Sequence, residues 1–169
     1  MSESYEETSQ LQMQSILDRQ RAAYLAEGVV SSETRMDRLE RAVQVVKKHQ
    51  KAFVQAMNED FGHRSEHQSL FTDVASSVGP LRHAQQNLKR WQKKDKRKVN
   101  PGILALLGAK AWVEYQPLGV VGVISPWNFP VNLTFTPLAG VLSAGNRCMI
   151  KPSEYTPATS AAMAAGFAE

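Results

Sequence analysis

Apolar residues recur every three or four places through the first hundred positions and then gather into short continuous runs, so the chain changes structural type part-way along. Behind the acidic opening Ser2-Glu3-Ser4-Tyr5-Glu6-Glu7, the residues Leu11, Ile16, Ala23 and Tyr24 make a weak stripe that stops at Gly28. The spacing predicts a first, partly exposed helix. Thr34 with Asp37 three places on has the form of a capping box, and Leu39, Val43, Val46, Gln50, Phe53 and Met57 then share one helical face, with room for a break, ending near Gly62. Ser65 with Gln68 repeats the cap. Phe71, Val74, Val78, Leu81, Leu88 and Trp91 predict a long amphipathic helix running into the basic stretch Lys93-Lys94-Asp95-Lys96-Arg97-Lys98. Pro80 is expected to kink it, because proline lacks the backbone donor and crowds the preceding turn.

After Asn100-Pro101-Gly102 the period changes. Trp112-Val113-Glu114-Tyr115-Gln116 alternates and is rich in β-branched and aromatic residues, as an antiparallel strand requires. Gly119 to Ile124 is short and continuously apolar, which predicts a strand buried on both faces. Leu133, Leu138, Val141 and Leu142 follow as a helical stripe ending at Gly145-Asn146, then Cys148-Met149-Ile150 as a second buried strand. Thr156-Pro157 opens another helix, with Thr156 as its cap and proline at its first position. The fold class read from this order is α/β: a helical region over 1–100, an antiparallel β segment over 101–117, and over 118–169 the start of a doubly wound parallel sheet. That sheet is incomplete, since parallel strands need several neighbours.

Composition changes this picture little. With 43% hydrophobic and 21% charged residues the chain is that of an ordinary globular protein, and its net charge of +4 comes largely from the one basic stretch. Such a stretch is more often a solvated helix end than a nucleic-acid patch, and no binding motif accompanies it. No apolar window approaches the length of a membrane span. A single cysteine, Cys148, and the lack of a secretory pattern predict a cytoplasmic protein. His63 and His67 have the spacing of a helical metal pair, but no glutamate follows His63 directly, so no metal is expected.

Two loops carry candidate chemistry. Ser125-Pro126-Trp127-Asn128-Phe129-Pro130 lies just past the carboxyl end of the first buried strand, where open α/β sheets bind ligands. The Asn128 amide is a neutral donor that can be aimed at an oxygen gaining negative charge; the plainer alternative is that it bonds its own turn. Lys151-Pro152-Ser153-Glu154 ends the next strand on the same edge, so both loops should open into one crevice. There Lys151 and Glu154 could grip ribose hydroxyls; a solvent-exposed ion pair is the alternative. Lysine also favours a 2′-phosphate whereas glutamate repels one, a slight preference for NAD over NADP. Cys148, inside an apolar strand, reads as structural, because burial raises a thiol pKa.

The run from Gln116-Pro117-Leu118-Gly119 through Ser125-Pro126-Trp127-Asn128-Phe129-Pro130, then Ala144-Gly145-Asn146 and Lys151-Pro152-Ser153-Glu154, resembles the aldehyde dehydrogenase superfamily, three motifs standing in the family's order and spacing. Within it the wording is most like coniferyl-aldehyde dehydrogenases and their class 3 relatives. The resemblance implies an NAD(P)-dependent oxidoreductase that converts an aldehyde, such as aromatic coniferaldehyde, to a carboxylic acid. In that family a cysteine thiolate attacks the carbonyl, hydride passes to nicotinamide, and glutamate-activated water hydrolyses the thioester. It also implies that Asn128 is the oxyanion-hole amide and that Ile124, Ser125, Pro126 and Trp127 line the nicotinamide side. Lys151, Ser153 and Glu154 would lie near the adenosine ribose. The nucleophile and the glutamate fall beyond residue 169 in that family, so this chain by itself is expected to be inactive. The segment over 101–117 would belong to a subunit-contacting hairpin of a homodimer. A competing expectation is a catalytically dead truncated module that serves only in folding or protomer contact.

Overall fold

The computed structural model describes residues 8–169. Ser9 caps the first helix, α1 (Gln10–Glu27), in a full capping box with Gln12, and Gly28 closes it; none of its residues is buried, as the weak stripe predicts. The second helix, α2 (Ser32–Lys48), begins two residues before the expected cap, because Ser31 Oγ takes the Thr34 backbone N–H at 3.2 Å. The predicted break falls at His49, where α3 (Gln50–Phe61) starts, and α3 ends on Gly62 in a left-handed conformation. His63 stands outside any helix and His67 within the next, so the pair does not share the helical face that a metal pair needs.

Ser65 caps the short α4 (Glu66–Ser69) through Gln68, as expected. Its continuation differs from the simple stripe. Leu70–Ala75 is a π-helical turn, after which α5 (Ser76–Trp91) runs on through Pro80. The wider turn shifts the register: Asp73 and Val74 go into the core, while Phe71, expected inside, is 78% exposed. The basic run does not extend α5. Stacked at helical spacing its cations would repel one another; instead β1 (Asp95–Arg97) pairs antiparallel with β2 (Ala111–Val113), Lys96 opposite Trp112. Lys94 gains both the Trp112 ring, 4.4 Å from its Nζ, and Glu114 at 3.3 Å. The β2 strand is shorter than the alternation suggested, and α6 (Gly102–Leu106) lies between the two strands.

The βαβα order is as predicted: β3 (Val120–Ile124), α7 (Asn132–Ser143), β4 (Arg147–Lys151) and α8 (Pro157–Phe167), with β3 parallel to β4. The expectation of strands buried on both faces does not hold. With only two strands paired, each keeps an open edge, and Ile124 is 82% exposed. One core joins both halves of the chain: Leu39, Val43, Phe53, Met57 and Leu81 pack with Val131, Phe135, Leu138 and Met163. At about 1.5–3 kcal/mol for each large apolar side chain, this shared core fixes the helical half against α7 and α8, with Cys148 and Ile150 of β4 packed against it. Among the described residues no helix is long and apolar enough to cross a membrane.

Candidate functional site

Two glycines explain how the strands come into register. Gly119, at φ +115°, donates its N–H to Asn146 Oδ1 at 2.9 Å and accepts from Arg147 N at 2.9 Å, so the start of β3 is tied to the start of β4. Gly145, at φ +84°, ends α7 with its Cα against the Arg35 guanidinium; a Cβ there would lie 2.8 Å from Arg35 Cζ. Arg35 is itself held by the carbonyls of Val30 and Ser143. With this end fixed, Val120 pairs with Arg147 and Ile124 with Lys151.

At the opposite end the two candidate loops leave side by side, for the Ser125 N–H donates to the Lys151 carbonyl at 3.0 Å. Ser125 and Ser153 are buried and their hydroxyls are committed within the fold. Thr134 Oγ1 donates to Ser125 Oγ at 2.8 Å, and the Tyr155 N–H donates to Ser153 Oγ at 3.2 Å. These serines shape the loops from below. Ile124, Pro126, Trp127 and Asn128 are exposed, as are Lys151 and Glu154. Lys151 Nζ lies 2.5 Å from Glu154 Oε2, and that hydrogen bond holds the glutamate below the usual carboxylate range. Cys148 is half-buried in β4, where burial pushes its thiol up to about 11, as a structural cysteine requires.

Asn128 does not bond its own turn. Among the described residues its side-chain amide has no hydrogen-bond partner, while its backbone carbonyl accepts from Arg64 Nη1 at 3.2 Å. Arg64 is buried behind the loop, its guanidinium carbon 4.9 Å from the Phe61 ring centroid and 5.5 Å from that of Phe129. Its Nη2 meets Asp73 Oδ2 at 2.5 Å. The other oxygen of Asp73 accepts the N–H groups of Val131 and Asn132 at 3.1 and 3.2 Å, capping α7. Burial pushes the Asp73 carboxyl above the usual aspartate range, opposed by those two N–H groups and the Arg64 charge. Asp60 plays the same part for α8: it accepts from Ala158 N at 2.9 Å, Thr159 N at 2.8 Å and Thr159 Oγ1 at 2.6 Å. The cap expected from Thr156 is absent, since Thr156 makes no side-chain cap bond.

Paired parallel strands, each leading through a loop into a crossover helix, are the opening of a doubly wound α/β domain. The profile of the aldehyde dehydrogenase family matches residues 3–169, and the chain belongs to that family. It is 56% identical over 157 residues to a protein described as a probable coniferyl aldehyde dehydrogenase from Caulobacter vibrioides, covering 93% of this chain and 32% of that one. It is 46% identical over 153 residues to the coniferyl aldehyde dehydrogenase of a Pseudomonas species, covering 90% and 31%. The fold matches that of Streptococcus pyogenes succinic semialdehyde dehydrogenase, solved with NADP+, at a TM-score of 0.80, with 15% identity over 98% of this chain and 36% of that one. The chain thus spans about a third of the length of the curated relatives it matches.

Proposed function

We propose that this chain is the amino-terminal segment of a dehydrogenase that oxidises an aldehyde to a carboxylic acid with NAD(P)+, and that Asn128 is its oxyanion donor. The observation that carries the reading is the unpartnered, exposed Asn128 amide on a loop whose backbone is clamped from beneath. An amide held in that way can meet the aldehyde oxygen as the carbonyl carbon turns tetrahedral, with no reorganisation at the moment of reaction. The thiolate nucleophile is supplied from outside this chain, because Cys148 is half-buried and protonated at neutral pH. The segment alone is therefore expected to be inactive.

The donor set fits a dinucleotide. Glu154 can accept ribose hydroxyls and Lys151 can donate to them, while Ile124, Pro126 and Trp127 offer an apolar wall beside Asn128. Ser125 and Ser153 brace these residues from within. When bound, the nicotinamide supplies the two-electron acceptor. NAD+ is favoured, because Glu154 repels a 2′-phosphate, and NADP+ stays open through Lys151. By likeness to the coniferyl aldehyde dehydrogenases the substrate is an aromatic aldehyde. The arm over 101–117, with Leu106, Leu107 and Tyr115 each more than two-thirds exposed, is assigned to the contact of a cytoplasmic homodimer.

The test is made in the reading frame extended past Glu169. Asn128→Ala should lower kcat for aldehyde-dependent NADH formation by roughly 100-fold, with little change in the KM for NAD+. A kcat within threefold of the parent removes Asn128 from the chemistry.

A further inference from the structure

We infer that Arg64, held by Asp73, is the positioning residue for the Asn128 amide; the inference rests on the reading of Asn128 given above. The loop Ser125 to Pro130 is exposed and would drift on its own account. It is restrained by a guanidinium buried beneath it. Arg64 Nη1 donates to the Asn128 carbonyl itself, and its guanidinium lies over the rings of both Phe61 and Phe129. Trp127 leans on Phe61 with the ring centroids 6.4 Å apart. Residues 127, 128 and 129 are thus each anchored on Arg64 or its immediate neighbour.

The guanidinium cannot swing away, because its other arm is fixed. Nη2 donates to Asp73 Oδ2 at 2.5 Å and to Thr72 Oγ1 at 2.9 Å, and the Asp73 side chain is fully buried. Asp73 also holds the far end of the loop, since its Oδ1 takes the N–H groups of Val131 and Asn132. One carboxylate therefore fixes both the start of α7 and the arginine that grips Asn128. The π-helical turn supplies the geometry, carrying Asp73 inward where an unbroken α-helix would place its side chain differently. Arg64 and Asp73 are both buried beneath the loop. They set where the donor stands, to the sub-ångström tolerance that an oxyanion contact requires.

The experiment uses the complete dehydrogenase and three substitutions, Arg64→Lys, Asp73→Asn and Asn128→Ala. Lysine keeps a charge for Asp73 but has no second arm for the Asn128 carbonyl. Asparagine keeps an acceptor for α7 but weakens the hold on Arg64. Each should lower kcat by about tenfold or more while the KM for NAD+ stays within about twofold, with the rate expressed per folded active site. In the Asn128→Ala background Arg64→Lys should cost less than about twofold more, because the group it positions is gone. Loss of stability alone would leave kcat per folded site unchanged. If Asn128→Ala lowers kcat as expected but Arg64→Lys and Asp73→Asn do not, the positioning role is overturned and the oxyanion reading survives. If the Arg64 and Asn128 losses multiply, Arg64 acts elsewhere. If Asn128→Ala leaves kcat unchanged, the oxyanion reading itself fails and takes the inference with it. Should Arg64→Lys not fold, Asp73→Asn carries the same comparison against Asn128→Ala.

Discussion

Replacing Asp60 with alanine should unfasten α8 and, with it, the turn that carries Lys151 and Glu154. The magnitude follows from three bonds. Asp60 accepts the backbone N–H groups of Ala158 and Thr159, which are otherwise orphans of a helix start, and the hydroxyl of Thr159. Loss of a helix cap costs about 0.5–2 kcal/mol, and orphaning the Thr159 hydroxyl, on a side chain with no exposure, costs about 1–3 kcal/mol more. Because the terms share one side chain, their sum is less than additive, and about 3 kcal/mol is expected. In a chain of 169 residues that corresponds to a fall in Tm of roughly 6–12 °C. Asp60→Asn, which keeps one acceptor, should lose about half as much, and Thr159→Val about 1 kcal/mol. The double variant Asp60→Ala with Thr159→Val should be no less stable than Asp60→Ala alone, since it no longer buries an unpaired hydroxyl. Urea unfolding of the four proteins measures this cycle. Strict additivity, or a loss under about 0.5 kcal/mol for Asp60→Ala, refutes the capping role.

Gly145→Ala should cost about 2–4 kcal/mol, combining a φ of +84° with a Cβ 2.8 Å from Arg35, whose guanidinium is buried and held at two carbonyls; a urea midpoint close to the parent's would show that Arg35 gives way. Cys148 should react with iodoacetamide at pH 8 about 100-fold more slowly in the native chain than in urea, because its thiol is pushed up to about 11 against an unfolded value near 8.5–9. The unfolded thiol ionises first, so the contribution of Cys148 to stability is complete below the unfolded pKa and declines as the pH rises toward 11. Alkylation rates within fivefold of each other in the two states contradict the burial.

The apolar periodicity was enough to find α2, α3, α5 and the βαβα order, because Leu39, Val43, Phe53, Met57 and Leu81 each face the core they were expected to face. It was not enough to place Phe71. An α-helical stripe assumes one rotation per residue, and the π-helical turn over Leu70–Ala75 breaks that rule without a Gly or Pro to mark it. The burial expected of β3 describes a sheet with more neighbours than the two strands here. Harder to see were Asp60, Arg64 and Asp73. Charged residues on amphipathic helices and in the turns between them read as solvent-facing, and the loop and helix-start groups that these three hold lie 58 to 99 positions away, out of reach of any local pattern. One local signal existed. Asp73 falls beside Val74 and one turn before Ser77, near the start of the stripe that runs on through the buried Leu81 and Leu88.

Those three charged residues also explain why the first hundred positions matter to chemistry assigned to the loops after them. A loop of seven residues between β3 and α7 costs about 1–2 kcal/mol per residue in backbone entropy to hold in one conformation. Here it is fastened at three points: Ser125 to the Lys151 carbonyl, Asn128 to Arg64, and Val131 to Asp73. No more than two residues lie free between successive fastenings, so that entropy is lost on folding rather than when a substrate binds. Asp60 does the same for the start of α8, one turn after Glu154. The parallel strands bring the two loops to one edge, and it is the helical half, through the buried Arg64 and Asp73 and the half-buried Asp60, that stops them from moving there.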